Sequence, residues 1–348
     1  MDPARLIPAA EAIPSPWGWF EALLWLTFVL HLVFMNLAVG SAALALFSRS
    51  QRELARELGH RIPTFLALTV NFGVPPLLFV QVLYGQFLYT SSVLMAGWWL
   101  SAIAAVIAGY YGAYVHDARF ESAPGLARLA LVASLCLLAY TGFLLANNMT
   151  FMLRPEAWQA YFRNPNGTLL NTADPTMWSR TVHILLAAPA VAGLFVALLG
   201  ERRNRPEWTG LGLAWFTRVT MLEIAVGVWV LMSLPREVML GFMGGDGLAT
   251  ALLSLSVLAG LAALYAGIQK KPAAAAWLTL AAIALMAATR AKLRLLTLAP
   301  FFSPGSLPVT NEVTPLAMFV VALAVGLVVI AWMLKTFAKY GAKTEGRG

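Results

Sequence analysis

A chain of 348 residues that is 60% hydrophobic and only 11% charged lies outside the range of soluble globular domains, where charged residues approach a quarter of the total. The composition is that of an all-α polytopic membrane protein, and at roughly 20 apolar residues per crossing it leaves no room for a large soluble head. Long unbroken apolar runs exclude the alternation of a β-barrel, and a net charge of +8 spread over short loops excludes a nucleic-acid patch.

Nine apolar segments follow one another at about residues 18–47, 64–92, 97–115, 129–153, 177–199, 212–234, 248–268, 274–296 and 314–335. They predict a helical bundle of nine transmembrane helices, a single membrane domain over 1–348. An odd number of crossings puts the termini on opposite sides. Fifteen of the 24 Lys and Arg fall in the loops after segments one, three, five and seven and in the C-terminal tail. The positive-inside rule therefore places the N-terminus outside and the C-terminus in the cytoplasm. The first apolar run is too long, and too poor in preceding basic residues, for a cleavable signal peptide. Cys136 is the single cysteine and forms no internal disulfide, and no CxxCH sequence offers covalent attachment to a heme.

Ionisable groups at membrane depth are costly, so each is a functional candidate. In the first segment His31 lies roughly 18 Å from the outer end at 1.5 Å per residue. The second carries a polar stripe, Asn71, Gln81, Tyr84 and Gln86, and Pro75-Pro76, which predicts a break in the helix. His60 and His116 fall at the cytoplasmic boundary among arginines and read as interfacial, within reach of water. The one long loop, 154–176, is outside and either covers a site or docks a partner, or else serves as a spacer. In the fifth segment His183 lies roughly 9 Å from the outer end, with Arg180 one turn above it on the same face. Each membrane histidine is either an axial ligand for a heme held between helices or a donor to a neighbouring helix carbonyl.

Glu223, midway through the sixth segment, has no basic residue one turn away in sequence. It either carries a proton near a quinol or heme, or makes a neutral hydrogen bond to another helix. Met221 beside it and Met35 in the first segment are candidate ligands, although methionines at helical spacing serve packing more often. In the eighth segment Arg290 and Arg294 share a face that Lys292 does not. They either neutralise heme propionates or anionic headgroups, or snorkel to the interface.

Three segments resemble a known family, in chain order. LLWLTFVLHLVFMNLAVGSAALALF is similar to the first helix of the large subunit of cytochrome bd quinol oxidases, TVNFGVPPLLFVQVLYGQF to its second helix, and WSRTVHILLAAPAVAGLFVAL to its fifth. The resemblance spans roughly 18–235. It implies nine helices with the N-terminus outside, residence in a prokaryotic inner membrane, and heme-ligating roles for His31 and His183. The departures are specific. Gln81 stands where the oxidases carry the glutamate of the oxygen-reducing heme, and an amide cannot act as an anionic ligand. The connection after the sixth segment is short where the family has its quinol loop, and TALLSLSVLAGLAALYAG lacks the family's methionine ligand.

The expectation is a membrane cytochrome with one or two hemes b. It exchanges electrons between membrane quinol or quinone and an outer redox partner, a c-type cytochrome or another subunit. His31 and His183 are its axial ligands and Arg180, Arg290 and Arg294 its propionate partners, with Met221, Gln81 and Glu223 in the pocket or proton path. The alternatives are a cofactor-free membrane anchor for redox subunits and a true bd-type oxidase subunit. A secondary transporter ranks last, because only one half of the chain shows a broken helix.

Overall fold

The computed structural model describes residues 2–48 and 51–345, with the side chains of 334 and 337–345 left aside. In a bilayer every backbone N–H and C=O must be satisfied within the chain, and an apolar sequence of this kind meets that demand as helices. The long elements are α1 (Trp17–Phe47), α2 (Arg52–Leu94), α3 (Ala96–Arg119), α4 (Pro124–Phe151), α5 (Pro175–Arg202) and α6 (Pro206–Ser233). The short α7 (Arg236–Leu240) follows, then α8 (Gly247–Ile268), α9 (Pro272–Leu298) and α10 (Val313–Glu345). Nine helices among the described residues are long and apolar enough to cross a membrane, which makes this a multi-pass membrane protein. No strand occurs among the described residues, only an isolated bridge between Ile13 and Val309.

Short connections make α1/α2, α3/α4, α5/α6 and α8/α9 antiparallel pairs, and α1 sits at their junction, against α2, α4, α5 and α9. The α5/α6 crossing is the tightest. An added Cβ on Gly193 would lie 2.8 Å from Phe216 N, and one on Gly212 would overlap the backbone of Ala197 and Gly193. Only glycine lets these two backbones approach so closely.

The face on which α1 begins is capped. Residues Pro155–Phe162 form 3₁₀ turns that lay Trp158, 2% exposed, against Phe87, with its indole N–H donating to Phe151 O at 2.9 Å. The loop at 154–176 thus covers the bundle end and is not a bare spacer. Asp174 caps α5 through Thr176 N at 2.7 Å and pairs with Arg154 at 3.0 Å. The opposite face is laced by ion pairs, Arg203 and Arg61 to Glu57, Arg205 to Glu53, and Arg56 and His60 to Asp117.

Two expectations about α2 and its neighbours are corrected. The helix begins at Arg52, twelve residues before the apolar segment, because RELARELGHRIP is amphipathic and buries Leu54, Leu58 and Ile62. It also runs on through Pro75-Pro76. The residue that leaves helical geometry is Tyr84, with φ −135° and ψ 29°. His116 is no water-accessible interfacial residue. It is 4% exposed, its Nδ1 donates to Ala127 O at 2.9 Å, and a Cβ on Gly59 would lie 2.6 Å from its Nε2. His60 is exposed, as its sequence context implies.

Candidate functional site

The polar groups of the outer half, as the sequence assigns it, gather where α1, α2, α5, α6 and α9 meet. His31 turns Nδ1 toward α2 and donates to Thr69 O at 2.9 Å. This bond depends on Gly73, one turn further along α2, because a Cβ there would lie 2.8 Å from His31 Nδ1. Fixing the proton on Nδ1 sets the tautomer in which Nε2 carries the lone pair. The ring of Phe28 stacks against the imidazole at 6.3 Å.

His183 finds its neighbour on α6. Its Nδ1 lies 3.0 Å from Glu223 Oε1, so the acid without a helix-local partner meets a base from the adjacent helix. The two are in contact without an aligned hydrogen bond, and Nδ1 of His183 and Oε2 of Glu223 stay buried without a partner. Gly227 faces the ring from the same helix as Glu223, where an added Cβ would meet Cε1 at 3.6 Å, an ordinary contact. The register of α1 on α5 relates the two histidines. Gly40, nine residues beyond His31, packs on Ala188, five beyond His183. On parallel helices that puts the imidazoles within about 6 Å of the same depth.

Arg180, Arg290 and Arg294 converge from α5 and α9 on one enclosed cavity of about 20 Å³, which Met149, Met152 and Leu153 complete. It has room for a single water. The only carboxylate ion-paired with any of the three, among the described residues, is Glu21 on α1, 3.3 Å from Arg294. Arg294 also lies over the ring of Tyr84 at 4.5 Å, and Arg290 over that of Phe28 at 4.6 Å. Nε of Arg180, Nε of Arg294, Oε2 of Glu21 and the Tyr84 hydroxyl are all buried without a hydrogen-bond partner. Three guanidiniums facing one carboxylate, with donors unused, form an anion-seeking environment in a low dielectric. Arg294 is 6% exposed and does not snorkel. Lys292 points away from the cavity, to Asp246 at 2.7 Å.

Two residues singled out in the sequence lie elsewhere. Met221 is 51% exposed and lines a groove between α6 and α8 that neither histidine lines. Gln81 is half-buried on α2, and no described hydrogen bond joins it to the cluster. Sequence reading missed Glu21, whose signal is that it is the lone acid of the first apolar segment, and it missed the contact of Tyr84 with Arg294. Asn147 and Asn148, fully buried at the end of α4 and bonded to Asn171, Ser92 and Met95, also escaped it. No grouping of three or more His, Cys, Asp and Glu side chains suited to a metal ion occurs among the described residues. No protein family, curated protein or solved structure matches the chain.

Proposed function

We propose that the chain is a heme b cytochrome of a prokaryotic inner membrane, a divergent relative of the bd oxidase large subunit. It passes electrons between the quinone pool and an outer redox partner, a c-type cytochrome or another redox subunit. The observation that carries this reading is the shared posture of His31 and His183. His31 fixes its Nδ1 proton on the Thr69 carbonyl, His183 sets Nδ1 3.0 Å from the Glu223 carboxylate, and both leave Nε2 for another partner, the side on which an oriented imidazole ligand would bind. The arginines extend the fit. Arg180, Arg290 and Arg294 hold more positive charge than Glu21 neutralises, and a heme's propionates would use the donors that have no protein partner.

A bound heme would supply a one-electron carrier whose potential responds to axial ligand, burial and nearby charge. The protein's own residues do the rest. Thr69 and Gly73 orient His31, Glu223 lies against Nδ1 of His183, and the arginines hold negative charge toward the capped face. The positive-inside asymmetry orients that face outward, toward the redox partner. Gln81 gives no carboxylate to an oxygen-reducing site, so oxygen reduction is outside this reading, and cyanide-sensitive oxygen uptake by the purified protein would bring it back.

A cofactor-free anchor is the second reading. The observation in its favour is that both histidines already contact protein groups and that the arginine cavity holds only one water. Reduced-minus-oxidised spectra of the purified chain separate the two. A b-type band supports the cytochrome, and its absence, with no extractable heme, leaves the anchor.

A further inference from the structure

At the face opposite the arginine cluster, the ends of α5 and α8 and the first half of α6 line a groove of about 1010 Å³. Its floor is Gly210, Ala214, Thr217 and Met221 on α6, with Gly267 on α8. These α6 positions recur at helical spacing, so they form one continuous face, small from Gly210 to Thr217 and ending on Met221. Nothing in the protein lies within 4 Å of a Cβ built on Gly210. The mouth carries Arg205 and Lys270 beside Glu201.

Length identifies the class of occupant. From Arg205 to Met221 the groove follows α6 for roughly 24 Å, close to one leaflet of a bilayer some 40–45 Å thick with its headgroups. A partner transmembrane helix would need a track about twice as long. Charge narrows it further. Lys270 has no ion pair among the described residues, and Arg205 divides itself between Glu53 at 2.8 Å and Glu207 at 3.7 Å. Arg218 flanks the groove one turn from Ala214 and Met221, exposed and also without an ion pair among the described residues. It lies roughly 18 Å along α6, and helical side chains lead back toward the N-terminus, here toward the mouth. A cation at that depth needs an anion beside it.

We propose that this groove binds an anionic phospholipid of the leaflet on that side. One acyl chain lies along Gly210 to Met221, and the phosphate is held by Arg218 and Lys270. A quinone would fill the apolar track as well, but its neutral head would leave Arg218 and Lys270 without an ion pair.

The test uses the full chain in detergent, with thermal unfolding followed as phosphatidylglycerol, phosphatidylcholine or a short-chain quinone is added. Phosphatidylglycerol is expected to raise the midpoint selectively. The double variant Lys270→Ser, Arg218→Gln should weaken that response roughly thirtyfold in lipid concentration, from about one kilocalorie per lost cation. Ala214→Phe, which fills the track, should abolish it. Native mass spectrometry of each protein keeps the test readable if a variant is poorly folded, because the wild type alone must carry a phosphatidylglycerol-mass adduct. Equal stabilisation by phosphatidylcholine, a response to the quinone instead, or undiminished lipid retention in both variants would overturn the proposal.

Discussion

At the residue scale the site rests on contacts that single substitutions can break. Gly73→Val would drive a side chain into His31 Nδ1, where even a Cβ would lie at 2.8 Å. The expected outcome is destabilisation of about 1–3 kcal/mol from overpacking, together with a shifted or lost heme signal, read by thermal unfolding and visible spectra on the same sample. Glu21 and Arg294 form a buried pair, with side chains 16% and 7% exposed. Arg294→Met leaves Glu21 without its only described ion-pair partner and should cost about 3–5 kcal/mol, whereas the double variant Glu21→Gln, Arg294→Met should recover much of that loss. If the double variant were no more stable than Arg294→Met, Glu21 would not be the partner that matters. Neither contact could be read from the chain alone. Glu21 and Arg294 are 273 positions apart, and hydropathy records that a charge is present in a span but not which helix will face it.

At the element scale the sequence was most informative where one physical demand dominates. Nine apolar runs had to become helices because a bilayer offers no other partner to the backbone. Boundaries set by packing were less visible. The first turns of α2 are charged and escape a hydropathy window, yet Leu54, Leu58 and Ile62 recur along one buried face. Pro75-Pro76 pointed to a break, but the helix absorbs both prolines and departs at Tyr84, where the Arg294 guanidinium covers the ring. The α5/α6 contact makes the next prediction. Gly212→Leu would force the two backbones apart and should destabilise the protein by about 3 kcal/mol or more, near the upper end for single substitutions. The same change at Gly210, which faces open space, should cost far less. Equal losses at the two glycines would contradict the crossing described for α5 and α6.

At the scale of the whole molecule, polarity is distributed by depth. One face is tied by loops and caps, the other by ion pairs, and the arginine cluster and histidines lie between. Asp246, in the connection between α7 and α8, joins this architecture to pH. The hydrogen bond from Lys292, aided by the N–H of Ala249, holds its carboxyl below the usual carboxylate value. A lowered folded-state value means stabilisation that is complete above the ordinary carboxylate pKa, about 4, and is lost as pH falls through the lower folded value. Asp246→Asn keeps the helix cap and removes the charge. It should lower the unfolding midpoint at pH 7 and reduce the fall of that midpoint below pH 4, and an unchanged acid limb would dissociate this pair from acid sensitivity.

The composition announced a membrane bundle, and the scarcity of histidine pointed to His31 and His183, but their shared depth and the groups that face their Nδ1 atoms emerged only from helix packing. The central claim is that these two imidazoles serve a heme. The most direct test is the heme-to-protein ratio of the purified full chain, measured with its reduced-minus-oxidised spectrum, in the wild type, His31→Ala, His183→Ala and the double variant. The account predicts near-stoichiometric heme b in the wild type, a marked loss in each single variant that retains its helical content, and none in the double variant. A wild type devoid of heme, or a b-type spectrum that survives loss of both histidines, would contradict it.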